Sequence, residues 1–142
     1  DAIPEGHYEE ENMKSTVVPF RNGIMLSIAT GIAESHELKR VSIANHGGDH
    51  TIYPDCRPEF IHAMNGATEA GTFVKVRVEA PYTEITKAEI VARGAALGID
   101  YSKTWSCYKG ADIHCGKCGT CVERKEAFEA AGVKDPTIYS KE

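Results

Sequence analysis

The stretch from Phe73 to Gly98, FVKVRVEAPYTEITKAEIVARGAALG, decides the fold class. Val74, Val76 and Val78 alternate with Lys75, Arg77 and Glu79, the period of a half-buried strand over 73–79. A Pro-containing loop follows, and then the signals of a helix start. Thr86 and Glu89 have capping-box spacing, with Ile85 and Ile90 at the staple positions. Gly98 stands just after Leu97, where a left-handed residue would stop the helix. A strand that leads into a helix is the unit of α/β architecture.

The same alternation of elements extends outward. Upstream, Ile24, Met25, Leu26, Ile28, Ala29, Ile32 and Ala33 nearly encircle a helix expected from Asn22 to about His36, which predicts that it is buried. Arg40 to Asn45 reads as a short strand around Val41 and Ile43. A second helix is expected to start near Asp55, with Pro58 in its first turn and Phe60, Met64 and Ala67 at helical spacing. Downstream, a last helix runs from about Thr120 to Ala131 and stops at Gly132. The order helix–strand–helix–strand–helix implies parallel strands with crossover helices. Two parallel strands do not make an independent sheet, and the apolar first helix needs something to pack on. Part of the sheet is therefore expected to lie outside this sequence or on another chain.

Bulk properties narrow the function classes. A chain of 142 residues suits one domain, and 42% apolar with 26% charged residues excludes wholesale disorder. A formal net charge of -5 argues against nucleic-acid binding by general electrostatics. No apolar run approaches the ~20 residues that span a bilayer, and no secretory segment is present, so the expectation is a cytoplasmic protein without a membrane partner. Residues 1–14 are polar and acidic, with Glu5, Glu9, Glu10 and Glu11, and read as a loop or mobile tail. The start at Asp1 rather than Met reads as a processed or trimmed piece.

The strongest chemical signal is Cys107 followed by Cys115-Gly116-Lys117-Cys118-Gly119-Thr120-Cys121. Four thiolates satisfy tetrahedral zinc, and a site with all four positions filled is structural rather than water-activating. Gly116 and Gly119 relieve the tight turns, and Lys117 offsets part of the negative charge. An iron–sulfur cluster is the rival, but the ferredoxin continuation after the third cysteine is missing. His114 could replace one ligand, although Cys115 fits the spacing better. Cys56 stands apart and reads as a small buried residue; a nucleophilic role would need a base that the sequence does not place.

Three further clusters leave alternatives open. Arg21 and Asn22 stand at a helix start, where unpaired N–H groups favour a phosphate or carboxylate; residue chemistry alone favours the alternative, an ordinary Pro-containing helix entry with a surface arginine. Lys87 at the start of the third helix opposes the helix dipole, which an anionic ligand would explain and an exposed position would tolerate. Tyr53-Pro54-Asp55-Cys56-Arg57 is dense in polar groups, with Asp55 a candidate cap and Arg57 a surface charge. Gly47 and Gly48 do not form a phosphate loop and serve a turn that points Asp49 into a cleft.

Taken together, the segments VPFRNG, GGDHTIYPDCRPEF, TKAEI, WSCYKG and CGKCGTCVER resemble the 7-cyano-7-deazaguanine synthase family of the queuosine pathway, from about Ser15 to near the C-terminus. The resemblance implies an adenine nucleotide alpha hydrolase-like, Rossmann-like parallel sheet and a helical zinc-binding C-terminal subdomain. It divides the chain into a flexible acidic segment 1–14, a partial ATP and substrate domain 15–98, and a zinc subdomain 99–142. It implies an ATP-dependent carbon–nitrogen ligase that converts 7-carboxy-7-deazaguanine and ammonia to the nitrile, with magnesium accompanying ATP. Cys107, Cys115, Cys118 and Cys121 match its zinc ligands. Arg21, Asn22 and Lys87 match nucleotide-site positions, and Asp49, Tyr53, Asp55 and Arg57 match the deazaguanine pocket. A homodimer is a further implication, and direct nucleic-acid binding is not. The family's SGGxDS phosphate loop is absent from these residues, so turnover of ATP is expected to need an N-terminal segment or a separate subunit. The alternative is a catalytically silent zinc-binding interaction module.

Overall fold

A computed structural model describes residues 3–7, 11–110 and 112–140. Glu9 and Glu10 of the acidic segment lie outside the described residues. By contacts the chain divides into two compact units, Val18–Thr86 and a second made of Asp1–Val17 with Lys87–Glu142.

The Val18–Thr86 unit contains α1 (Arg21–Ser35), β1 (Arg40–Ser42), α2 (Pro58–Gly71) and β2 (Arg77–Glu79). The strands pair in parallel, with Arg40 opposite Arg77, Val41 opposite Val78 and Ser42 opposite Glu79. Parallel neighbours need a crossover, and α2 provides it. Val76 is fully buried and Val78 nearly so.

β2 is shorter than the valine alternation predicts. Lys75 has φ of 60°, a left-handed conformation that a strand does not continue through. The amides upstream find other acceptors: Glu34 of α1 accepts the N–H groups of Phe73 and Val74, at 2.8 and 3.3 Å. Thr72 Oγ1 accepts the Val76 N–H at 2.9 Å, and Asn65 Oδ1 of α2 accepts that of Val78 at 2.9 Å. Side chains thus complete the backbone hydrogen bonding where β1 does not.

The first helix departs from its expected burial. Gly23, Leu26, Thr30 and Ala33 form one buried stripe, whereas Ile24, Met25, Ile28 and Ile32 are more than half exposed. α1 has sheet and helix neighbours on one side only within its unit, so an encircling apolar pattern does not bury it all round.

The second unit holds α3 (Lys87–Ala96) and α4 (Gly119–Ala130). The sequence grouped α3 with residues 15–98. Here it packs with α4, because Val91 joins Ala127 and Phe128 in one buried cluster. Tyr101 meets Phe128 edge-on at 4.9 Å and donates its hydroxyl to Val91 O at 2.8 Å. Gly98 and Gly132 end the two helices at φ of 75° and 63°. Each is followed by a residue whose N–H reaches back to the helix: Ile99 to Gly94 O and Val133 to Phe128 O. The described part of the acidic segment also packs here. Glu5 bridges to Cys118, and the Gly6 N–H donates to Lys117 O at 3.1 Å.

Phe128 is 3% exposed and touches both helices' cluster, so truncation leaves a cavity. Phe128→Ala is expected to lower unfolding free energy by about 3–5 kcal/mol in urea titration; a loss below about 1 kcal/mol would contradict this packing.

Candidate functional site

The four clustered cysteines converge on one point. Their Sγ atoms all lie within 4.8 Å of one another, and Cys115 and Cys121 are 4.0 Å apart. A tetrahedral metal with bonds of about 2.3 Å sets its sulfurs about 3.8 Å apart, so this donor set fits such an ion. Local sequence explains the convergence. Cys118 is the N-cap of α4 and Cys121 lies in its first turn. Gly116 takes φ of 73°, which turns Cys115 back over them. N–H groups then point at sulfur: Cys118 and Lys117 donate to Cys115 Sγ at 3.3 and 3.4 Å, and Cys115 donates to Cys107 Sγ at 3.4 Å.

Charge supports the same reading. Burial works against ionisation of Cys118, but the Thr120 hydroxyl and the Tyr108 and Cys121 amides outweigh it and hold this thiol down to about 6. Cys107 is also lowered, burial being outweighed by the Cys115 and Lys109 amides. Cys121 is pushed up by burial, then by its contact with Cys118 and the charges of Cys118 and Cys107. Several thiolates this close repel one another, and a bound cation removes the conflict. Lys109 pairs with Glu5, which raises its pKa, with smaller contributions from the charges of Cys115 and Cys118, while Lys125 Nζ donates to Gly116 O at 2.9 Å.

His114 is buried beside the cluster but is not one of the converging groups. Its Nε2 accepts the Ser106 N–H at 3.1 Å, and its ring lies 4.2 Å from Trp105. Burial and then Arg124 hold its pKa below the usual imidazole value.

In the other unit, the loops leaving the carboxyl ends of β1 and β2 carry the polar residues, the position at which parallel sheets bind ligands. The Gly47 N–H donates to Ile85 O at 2.9 Å and joins the two loops. Asp49 accepts the His46 N–H at 3.1 Å, and His46 Nδ1 accepts the Gly48 N–H at 3.1 Å. Arg57 Nε donates to His50 O at 2.9 Å. Tyr53 and Asp55 are buried. Asn45 is buried as well, and its Nδ2 donates to Cys56 O at 2.6 Å and to Thr83 Oγ1 at 3.1 Å. Sequence reasoning missed Asn45 and Thr83; their places just beyond strand ends were the available signal.

Asp55 does not cap the helix nearest to it in sequence. Its Oδ2 accepts the Asn22 N–H at 2.8 Å, and Asn22 Nδ2 donates to Asp55 O at 3.1 Å and Cys56 Sγ at 3.2 Å. Phe20, the N-cap residue of α1, supplies no side-chain cap, so Asp55 does so from 33 residues away. Arg21 is exposed beside it. Burial, followed by the charges of Asp49 and Asp55, pushes the Cys56 thiol up to about 12, which keeps it protonated and a poor nucleophile. Lys87 belongs to the second unit, where it pairs with Glu123 of α4 and lines a cavity of about 340 Å³ with Tyr101, Trp105, Arg124 and Phe128.

Two outcomes are expected. Cys118→Ser will lower bound metal per chain, counted by atomic absorption, whereas His114→Ala will leave that count unchanged; the reverse pattern would make His114 a ligand. Asp55→Ala will cost about 1–2 kcal/mol and speed hydrogen exchange at the Asn22 amide; unchanged exchange there would rule out the long-range cap.

Comparison with known proteins follows the same residues. The family model described as "Queuosine biosynthesis protein QueC" matches residues 1–132. A 7-cyano-7-deazaguanine synthase of Porphyromonas gingivalis is 66% identical over 137 residues, covering 96% of this chain and 62% of the relative. Those of Rhizobium etli and Hahella chejuensis are both 56% identical, over 141 and 137 residues, and each match covers 96% of this chain and 59% of the relative. The chain thus spans about 60% of the length of these curated relatives. With four converging cysteines and this extent of shared sequence, the chain belongs to the QueC family of queuosine biosynthesis proteins.

Proposed function

We propose that the chain forms the substrate and zinc portion of a 7-cyano-7-deazaguanine synthase. The enzyme is an ATP-dependent ligase that takes 7-carboxy-7-deazaguanine and ammonia to the nitrile in the cytoplasm. The observation that carries this reading is the identity of 55–66% to proteins of that name across 96% of the chain. The parallel β1–β2 pair with its carboxyl-end loops supports the Rossmann-like, adenine nucleotide alpha hydrolase-like assignment. No helix among the described residues is long and apolar enough to cross a membrane.

The chemistry needs two activations. ATP, with magnesium, adenylates the acid with release of pyrophosphate, and ammonia displaces AMP to give the amide; a second ATP adenylates the amide oxygen with release of pyrophosphate, and loss of AMP and the nitrogen's protons leaves the nitrile. Positioning of reactants and stabilisation of phosphate charge are the protein's contributions. Cys107, Cys115, Cys118 and Cys121 hold a structural zinc, which is closed by four thiolates and supplies no open position for catalysis. Asp49, Tyr53, Asp55 and Arg57 line the deazaguanine pocket. In it Arg57 faces the substrate carboxylate, and a loop carboxylate receives the guanine-like N–H edge. The Asp55–Asn22 hydrogen bond supports this reading, because it couples the loop that carries Asp55 to the helix start bearing Arg21. Arg21 and Asn22 of one unit, and Lys87 of the other, are each assigned to the nucleotide on the family resemblance alone.

The test joins this chain to a family phosphate-loop segment and supplies zinc, ATP–magnesium, ammonia and the acid. Mass spectrometry should show the nitrile, and Arg57→Ala should raise the KM for the acid about tenfold or more, the expected loss of a charge-assisted hydrogen bond. An unchanged acid with the zinc-loaded protein would overturn the substrate assignment.

A further inference from the structure

Arg124 is accounted for neither by the metal ligands nor by the loops at the strand ends. It stands in α4, three residues after Cys121, and is 6% exposed. A buried guanidinium is costly unless its donors are met. Here each branch of the fork has an acceptor. Nε donates to Thr137 Oγ1 at 2.7 Å and lies 3.4 Å from Asp135 Oδ1. Nη1 donates to Thr104 Oγ1 at 2.9 Å and Ser106 Oγ at 3.2 Å, and Nη2 to Tyr101 O at 3.1 Å.

These acceptors lie on two segments with little regular structure of their own. The first, 101–107, ends in Cys107. The second, 135–140, returns to the cysteine cluster: the Tyr139 hydroxyl donates to Asp135 Oδ2 at 2.6 Å, and Tyr139 packs against the cluster. The Ser140 N–H donates to His114 O at 2.8 Å, and His114 in turn accepts the Ser106 N–H. Cys115, Cys118 and Cys121 are placed by one turn and the start of α4. Cys107 arrives from a separate segment and needs its own anchor, as a flexible arm would have to be ordered each time metal binds.

We propose that Arg124 is a positioning residue of the metal centre, holding the Cys107 arm and the 135–140 segment against α4 so that the fourth sulfur is preset. The proposal rests on the four-thiolate metal reading. Lysine cannot replace the fork, because a single ammonium reaches fewer of these acceptors in fixed directions.

The test uses the whole zinc-loaded chain. Zinc release to a chromogenic chelator is timed for Arg124→Lys, Arg124→Gln and Asp135→Asn, with Val91→Ala as a packing control of matched thermal stability. Cobalt-substituted spectra are recorded in parallel. Arg124→Gln and Asp135→Asn should release zinc at least tenfold faster than the control and shift the cobalt bands toward fewer sulfurs, with Arg124→Lys rescuing only in part. Release no faster than in Val91→Ala, or an unchanged cobalt spectrum, overturns the proposal. Where Arg124 variants fail to fold, Asp135→Asn and Thr137→Val decide it by the same two readouts. A wild-type chain that binds no zinc would instead overturn the metal reading beneath it.

Discussion

Four sulfurs brought within 4.8 Å of one another set the terms for the second unit. Partly ionised thiols at that distance repel, and burial of Cys118 and Cys121 removes the water that would screen them. The surrounding structure answers with N–H groups aimed at sulfur and with Lys109 and Lys125 nearby. A divalent ion held by the four sulfurs would relieve that repulsion and crosslink α4, the Cys107 segment and the turn at Gly116. The apolar cluster of Val91, Ala127 and Phe128 is small, and a small core leaves a unit of this kind dependent on crosslinks.

The Val18–Thr86 unit works by a different device. Its loops are shaped by side chains bonded to backbone: Asn45 to Cys56, Asp49 to His46, Arg57 to His50, and Asp55 to Asn22. Such a loop is ordered before any ligand arrives, which lowers the entropy lost on binding. The Asp55–Asn22 bonds tie the helix start at Arg21 to the carboxyl-end loop, so the two share one frame.

Much of this was legible from residue spacing. The cysteine pattern named its own cluster, and Gly98 and Gly132 marked helix stops that the positive φ values bear out. What escaped was long-range or backbone-specific. Lys75 gives no sequence sign of its left-handed φ, so the valine alternation overran the true strand. Asp55 was read as a local cap because nothing in a linear sequence shows a partner 33 residues away. The apolar encirclement of α1 described its composition correctly but not which side finds neighbours. α1 also ends in a glycine-type turn at Glu37, φ of 56°, with no glycine to announce it. Arg124 was not singled out in the sequence, and its five acceptors show why it is buried.

The central claim is that these four cysteines together bind one structural zinc. X-ray absorption at the zinc edge of the purified chain tests it most directly. The account predicts four sulfur neighbours at about 2.3 Å and no nitrogen or oxygen neighbour; a shell containing a histidine nitrogen, an open water position or fewer than four sulfurs would contradict it.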